Sequence, residues 1–378
     1  MKRWFLVLIL LFFPVRIYAL EYIPHATSGI LIEANSGKIF FEKEKDKRVS
    51  VASMTKMVAQ ILIMEEIESG KIHFDDVVTV SKNASDMGGS QIYLEANEKM
   101  TVEDLLKGIS VASGNDATVA MAEYISGSEE KFVKRMNQKV KELGLKNTHF
   151  MNCTGLDEKD HYSSSYDMAM IARELVLNHS GILKYSSIYE DYLRENTNRK
   201  FWLVNTNKLI SQYSGTDGLK TGHTDDAGYC LAATSKRNGL RLIAIVFVED
   251  NSKLRNSETI ELLYYGFHNI KVKTLKKKGE VIDSLSLPNS KPEKVSLLLK
   301  NDLNVVEEID QDVPYQFQTK LHSLSLPMKK GEVVGEVYVM VGKEKVSFEE
   351  IVLEEDLSKY YLRDVYFQNI KNMILGNF

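Results

Sequence analysis

The chain has 378 residues, and 44% of them are apolar, which is enough for two packed domains. Its 48 Lys and Arg residues and 52 Asp and Glu residues give a formal net charge of −4, so it has no general attraction to nucleic-acid phosphates. The eight histidines and two cysteines do not show metal-ligand spacing, and we predict neither a metal nor another cofactor.

The first residues have the pattern of an export signal. Lys2 and Arg3 precede an apolar run over 4–13 that is too short to span a bilayer. Ala19 supplies the small residue of a cleavage site, so we predict a signal peptide over 1–19 and an exported protein. An uncleaved anchor helix is the alternative.

The mature chain opens with a predicted hairpin, in which strands over 29–34 and 38–41 flank an Asn-Ser-Gly turn. A long helix is predicted over 53–69, because apolar residues recur there at helical spacing before Gly70. The same periodicity predicts further helices over 101–110, 116–125, 130–143 and 165–177.

Two β-rich runs, over 229–235 and 240–248, are predicted to be adjacent antiparallel strands. A helix over 257–265 then closes the region. Strands at both ends with helices between them favour an α+β fold, with helices packed against an antiparallel sheet, and we assign this domain to residues 20–271.

The helical pattern nearly disappears after this point. Short strand-like runs over 295–299, 305–309 and 333–341 predict a small all-β domain over 272–355. The tail over 356–378 is predicted to be an amphipathic helix, whose apolar face carries Leu362, Tyr366, Ile370 and Ile374. Such a face either lies in a membrane interface or packs against its own domain.

The two cysteines, Cys153 and Cys230, cannot form the disulfide framework that staples small secreted domains. Sequence alone leaves open whether they are bridged. Buried, unbridged thiols are the interpretation that we favour.

Ser53 and Lys56 begin the long helix and are three residues apart, which places both side chains on one helical face. A serine hydroxyl needs a base to become a nucleophile, and a lysine amine can serve if burial lowers its pKa. The spacing alone is weak evidence. Ser128 and Lys131 share it in a segment that we predict to be a solvated surface turn.

Two further motifs carry polar groups. Ser113-Gly114-Asn115 follows a helix at a predicted break and presents a hydroxyl and an amide. Lys220-Thr221-Gly222 follows a predicted turn at residues 217–218 and enters a strand along an edge that an extended substrate could join.

The order Ser-x-x-Lys, Ser-x-Asn, Lys-Thr-Gly is the signature of serine penicillin-recognising enzymes. The chain resembles their low-molecular-mass D-alanyl-D-alanine carboxypeptidases over about residues 22–270, and more loosely beyond. Besides the Ser-x-x-Lys motif, the segments that carry the resemblance are 88–90, 113–117, 152–156 and 217–224. Cys153 departs from the family pattern, since proline is frequent at that position.

The resemblance implies catalytic roles for three residues. Ser53 would attack the D-Ala-D-Ala carbonyl, Lys56 would accept its proton, and Ser113 would help to pass a proton to the leaving D-alanine. The oxyanion hole would be formed by the backbone N–H groups of Ser53 and His223.

The resemblance also implies the substrate-binding groups. Asn115 would hold the substrate amide, while Lys220 and Thr221 would face the terminal carboxylate, which needs cationic partners when it leaves water. The full predicted substrate-binding set is Asn115, Lys220, Thr221, Gly222, His223 and Arg255.

The implied partners are peptidoglycan stem peptides and β-lactams, which would acylate Ser53. The terminal helix would tether the enzyme to the outer face of the cytoplasmic membrane.

Two alternatives remain. A β-lactamase shares the three motifs, but the segment from Glu174 that superficially matches its catalytic glutamate lies inside a periodic helix. A non-catalytic wall-binding scaffold of the same fold is the second alternative.

Overall fold

The computed structural model describes residues 22–288, 290–311 and 313–361, together with 366, 370, 373 and 374. The predicted signal peptide lies outside these residues, as do most of the predicted C-terminal helix and its Leu362. Both therefore stay predictions. Among the described residues, no helix has the combination of length and apolarity that a membrane span requires.

The helices and strands predicted within the described residues are present in the predicted order, together with others that the sequence did not predict. The helices are α1 (Lys56–Glu68), α2 (Lys82–Ser85), α3 (Val102–Ala112), α4 (Asn115–Ser126), α5 (Glu129–Glu142), α6 (Ser165–Asn178), α7 (Leu183–Ser186), α8 (Leu209–Gln212) and α9 (Ser252–Asn269). The strands of the first region are β1 (Ser28–Glu33), β2 (Ile39–Lys43), β3 (Val77–Thr79), β4 (Lys99–Thr101), β5 (Glu190–Leu193), β6 (Phe201–Val204), β7 (Thr216–Thr224), β8 (Gly228–Arg237) and β9 (Leu240–Glu249). Those of the second are β10 (Ile270–Lys276), β11 (Val281–Ser286), β12 (Ser290–Lys291), β13 (Lys294–Leu299), β14 (Leu303–Glu308), β15 (Gln316–Leu321), β16 (Val333–Val341), β17 (Glu344–Leu353) and β18 (Ser358–Lys359).

A five-stranded sheet organises the first region, in the order β2-β1-β9-β8-β7. All its neighbouring strands are antiparallel. The hairpin at the start of the region pairs with β9 near its end, so strands from both ends of the region form a single sheet. Strand β7, which carries the Lys-Thr-Gly motif, forms one edge of this sheet.

Both faces of the sheet are covered, and the alternation of side chains shows this directly. In β1, Ile30 and Ile32 belong to one apolar core, whereas Leu31 belongs to the other. Helices α1 and α6 lie on the first side, and α9 lies on the second. The fold is thus the predicted α+β arrangement, with helices on both sides of the sheet.

Helix α1 is buried almost all round. Even the polar side chain of Gln60 lies in the interior, where its amide donates a hydrogen bond of 2.9 Å to Ser110 Oγ. A helix in this position holds its first residue, Lys56, deep inside the domain.

Three local predictions were wrong. Helix α9 begins five residues earlier than predicted, because the Asn251 side chain caps it by accepting from the backbone N–H groups of Lys253 and Leu254. The predicted turn at Asp217–Gly218 lies within β7, at an irregularity in its register with β8. The segment that begins at Ser128 is the capped first turn of α5 and not a turn between elements, although Glu130 and Lys131 are exposed as predicted.

The second region is all β in its described part. A five-stranded antiparallel sheet has the order β11-β13-β17-β16-β15 and its own apolar core, which includes Leu297, Val337 and Ile351. The ribbon of β10 and β14 lies beside the first region, since Val272 and Val306 pack against the core under α9. Strand β10 spans the predicted domain boundary at residues 271 and 272, which stays a prediction.

Cys153 and Cys230 are both buried and unbridged, as favoured above.

Candidate active site

Ser53 lies in a short 3-10 turn, Ala52–Thr55, that leads directly into α1. Glycine backbone packs against this turn from two remote segments. A Cβ at Gly155 would lie 1.9 Å from the carbonyl oxygen of Ala52, and a Cβ at Gly222 would lie 2.9 Å from that of Val51. The loop at residues 152–155 and the edge strand β7 therefore clamp the turn that presents Ser53.

Lys56 connects three parts of the site through its ammonium group. Its Nζ atom lies 2.9 Å from Ser53 Oγ, 2.6 Å from Asn115 Oδ1 and 2.6 Å from the carbonyl oxygen of Thr154. The side chain is fully buried, and burial lowers the pKa of Lys56 to about 7. A substantial fraction of this amine is neutral near pH 7 and can accept the proton of Ser53.

Ser113 occupies the break between α3 and α4 and has a left-handed backbone conformation, with φ of 63°. Its Oγ atom is buried, and it has no hydrogen-bond partner among the described residues. A buried hydroxyl normally has a partner, so this one is available to a bound substrate or to a proton in transit.

Asn115 is fixed by the loop at residues 88–90. Its side-chain amide donates a hydrogen bond of 2.8 Å to the carbonyl oxygen of Gly88, and its backbone N–H donates one of 2.7 Å to that of Ser90. The next residue, Asp116, accepts from the backbone N–H groups of Ile92 and Leu94 at 3.1 and 3.0 Å. These contacts hold the Ser-Gly-Asn segment against the loop at residues 88–94.

The Lys-Thr-Gly strand adds a second buried amine. Lys220 Nζ donates a hydrogen bond of 3.0 Å to the carbonyl oxygen of Thr221, and burial together with the charges of Lys56 and Arg255 holds the pKa of Lys220 well below its usual range. Arg255 is also buried, and burial lowers the pKa of its guanidinium group. Such a concentration of positive charge favours binding of a carboxylate.

These elements surround an open cleft of about 470 Å³. Its lining residues are Ser53, Ser90, Ser113, Val204, Asn205, Thr206, Lys208, Thr221, Gly222, His223, Tyr229, Ser252, Arg255 and Asn256.

The structure brings the nine predicted site residues together. Six of them line the cleft. The other three lie behind it: Lys56 and Asn115 are hydrogen-bonded to each other, and Lys220 bonds to the backbone of Thr221. Their roles in the reaction stay predictions.

Sequence reasoning missed two groups in the site. Thr206 accepts a hydrogen bond of 2.7 Å from the Thr221 hydroxyl, and the carbonyl oxygen of Thr154 binds Lys56. Thr206 lies between two asparagines, Asn205 and Asn207, that are both buried. The sequence Asn205-Thr206-Asn207 indicates a part of the site only when the burial of its two asparagines is known.

Two family models together match most of the chain. The model for D-alanyl-D-alanine carboxypeptidases matches residues 21–251, and the model for the C-terminal domain of penicillin-binding protein 5 matches residues 271–359.

Individual proteins match over nearly the same span. The D-alanyl-D-alanine carboxypeptidase DacF of Bacillus subtilis is 44% identical over 342 residues, which are 90% of this chain and 87% of that protein. The D-alanyl-D-alanine carboxypeptidase DacA of Escherichia coli strain K12 is 35% identical over 340 residues, or 87% of this chain and 83% of that protein.

The fold is also similar to that of a solved structure, penicillin-binding protein 5 from Haemophilus influenzae. The match has a TM-score of 0.72 at 31% identity and covers 89% of this chain and 98% of that one.

Proposed function

The chain belongs to the D-alanyl-D-alanine carboxypeptidase family, and on that basis we propose that Ser53 is the nucleophile with which it removes the terminal D-alanine from peptidoglycan pentapeptides. Its activity is that of a serine-type D-alanyl-D-alanine carboxypeptidase in cell-wall peptidoglycan maturation. One observation carries the proposal for Ser53: its hydroxyl lies 2.9 Å from a buried amine whose pKa is about 7.

Acylation begins when neutral Lys56 takes the proton of Ser53 as Oγ attacks the carbonyl carbon of the penultimate D-alanine. The oxyanion that forms accepts hydrogen bonds from the backbone N–H groups of Ser53 and His223. The C–N bond then breaks, the leaving amine receives a proton through Ser113, and an ester remains on Ser53. Water hydrolyses this ester and restores the hydroxyl.

Binding groups determine which peptides can react. The terminal carboxylate of the substrate lies near Lys220, Thr221 and Arg255, where buried positive charge compensates for its loss of water. The side-chain amide of Asn115 and the backbone around Gly222 and His223 hold the penultimate residue. A peptide without a free C-terminal carboxylate leaves these cations unpaired, so the site selects for a free C-terminus.

β-Lactams are expected to acylate the same hydroxyl, because they resemble the terminal dipeptide. A β-lactamase is less well supported, because Glu174 lies within α6, where it accepts a hydrogen bond of 2.7 Å from the side chain of Asn178. Glu174 is also not among the residues that line the cleft.

The test measures release of D-alanine from a diacylated Lys-D-Ala-D-Ala tripeptide by the wild type, Ser53→Ala and the matched control Ser128→Ala. We expect release by the wild type and the control, and none by Ser53→Ala. Release by a folded Ser53→Ala protein would exclude Ser53 as the nucleophile. Rapid turnover of a chromogenic cephalosporin without D-alanine release would favour the lactamase.

Peptidoglycan lies outside the cytoplasm, and so does this activity. We further propose that the protein is exported by residues 1–19 and is held at the outer face of the cytoplasmic membrane by residues 356–378. The support is the apolar face of the tail in sequence and the exposure of Met373 and Ile374 among the described residues.

The membrane proposal is tested with vesicles of phosphatidylglycerol and phosphatidylethanolamine. Deletion of residues 358–378 should abolish cosedimentation, whereas Gln368→Glu, which is off the apolar face by helical spacing, should retain it. Equal sedimentation of the truncated protein would exclude the tail as the tether.

A further inference from the structure

The loop at residues 152–155 is a structural part of the proposed base. Asn152 Oδ1 accepts hydrogen bonds from the backbone N–H groups of Thr154 and Gly155, at 3.2 and 2.7 Å, which folds the loop into a tight turn. The carbonyl oxygen of Thr154 then points at Lys56 Nζ, 2.6 Å away. The position of this loop therefore decides whether Lys56 keeps its hydrogen bond to Thr154.

Glu129 holds the loop from its far side. A single carboxylate oxygen, Oε1, accepts from both the backbone N–H and the thiol of Cys153, each at 3.2 Å. Burial raises the pKa of the Cys153 thiol well above its usual range, so the sulfur keeps its proton and can donate. Glu129 is the first residue of α5, where the helix dipole favours a negative charge.

This contact depends on the residue at position 153. Proline, which is frequent there in the family that the sequence resembles, has neither a backbone N–H nor a thiol to donate. Cysteine supplies both donors, and both reach the same oxygen. The pair of Glu129 and Cys153 is therefore a way to fix the loop that a proline-containing loop cannot use.

We propose that Glu129 is a positioning residue for Lys56, acting through Cys153 and the carbonyl oxygen of Thr154. The proposal rests on the proposed function, in which Lys56 is the proton acceptor. Glu129 belongs to the second Ser-x-x-Lys sequence of the chain. A residue of the second sequence would thus help to position the lysine of the first.

The test measures the rate of acylation by a fluorescent penicillin as a function of pH, in the full-length protein. For Glu129→Ala we expect a roughly tenfold slower reaction at pH 7, the size of effect that one lost hydrogen bond to a charged group can produce. The rising part of the pH profile should also move to higher pH. Desolvation is the main cause of the low pKa of Lys56, and a loosened loop admits water.

Three variants separate positioning from general stability. Glu129→Gln keeps an acceptor oxygen and should retain most of the wild-type rate, whereas Glu129→Met keeps the length but removes the acceptor and should behave like Glu129→Ala. Glu130→Ala alters the exposed neighbour and should leave rate and profile unchanged. If the alanine variant does not fold, the methionine variant provides the same comparison.

An unshifted pH profile and a wild-type rate in Glu129→Met would overturn the proposal, even if its melting temperature fell. The failure of the proposed function would look different. In that case Ser53→Ala would still be labelled by the penicillin, whatever the behaviour of the Glu129 variants.

Discussion

The chain contains two Ser-x-x-Lys sequences at the start of helices, and they differ in what surrounds them. Lys56 is fully buried and its amine lies 2.9 Å from Ser53 Oγ, whereas Lys131 is exposed. Ser128 Oγ instead accepts a hydrogen bond of 3.3 Å from the backbone N–H of Lys131, as an ordinary helix cap. Identical spacing thus gives a proposed nucleophile and base in one region and a structural cap in the other.

The difference is one of desolvation. Lys56 begins a helix that lies inside the domain, and loss of water brings its pKa to about 7. The second sequence begins a helix whose apolar residues Phe132, Val133 and Met136 turn inward, which leaves its lysine in solvent. Spacing brings a lysine within reach of a serine, but only burial makes its amine a base at neutral pH.

The largest expected effect is that of removing Lys56, compared with removing Lys131. Lys56→Ala should slow penicillin acylation by roughly 10²–10⁴-fold, which is typical for loss of a general base. Lys131→Ala should leave the rate within about twofold, since exposed charges away from the site have small effects. Stopped-flow labelling measures both rates. A folded Lys56→Ala protein that reacts at the wild-type rate would contradict the comparison.

The next prediction uses pH. Only neutral Lys56 can accept a proton, so acylation should rise with pH and reach half of its plateau near pH 7, where the amine titrates. One unit below the pKa, roughly a tenth of the protein should be reactive. A midpoint near the ordinary lysine pKa would mean that burial does not lower the pKa of Lys56.

The smallest expected effect is that of removing the Ser128 hydroxyl, which caps α5. Ser128→Ala should lower the free energy of unfolding by about 1 kcal/mol, because α5 loses its capping hydroxyl, while penicillin labelling stays complete. Chemical denaturation measures the loss. A Ser128→Thr variant keeps the hydroxyl and should be close to wild type. Reduced labelling in a folded Ser128→Ala protein would show that the Ser128 hydroxyl is more than a structural cap.

Much of the site could be predicted because its motifs are local. Residues three apart on a helix share a face, and alternation along a strand sends Lys220 and Thr221 to opposite sides, whatever the rest of the fold does. The predicted helices and the paired strands near residue 240 followed from the same periodicities. The resemblance added the roles, which spacing alone could not supply.

The missed contacts are those that only the tertiary fold creates. The Thr206 and Thr221 hydroxyls meet because β6 leads to the edge of the sheet, and Glu129 reaches Cys153 across 24 residues of chain. The start of α9 was missed because Asn251 caps a helix whose first turn has little apolar periodicity. No spacing rule anticipates such pairs.

Gly155 and Gly222 pack against the turn that carries Ser53, and they also limit how this enzyme could evolve resistance to antibiotics. Any side chain at position 155 or 222 would collide with the backbone of the turn, so Ser53 has little room to be moved by substitution there. Changes that spare the natural peptide and exclude a bulky drug have to arise instead at other residues that line the cleft, such as Val204 and Lys208. Selection under β-lactam pressure should therefore leave the two glycines unchanged and favour mutations at those other lining positions.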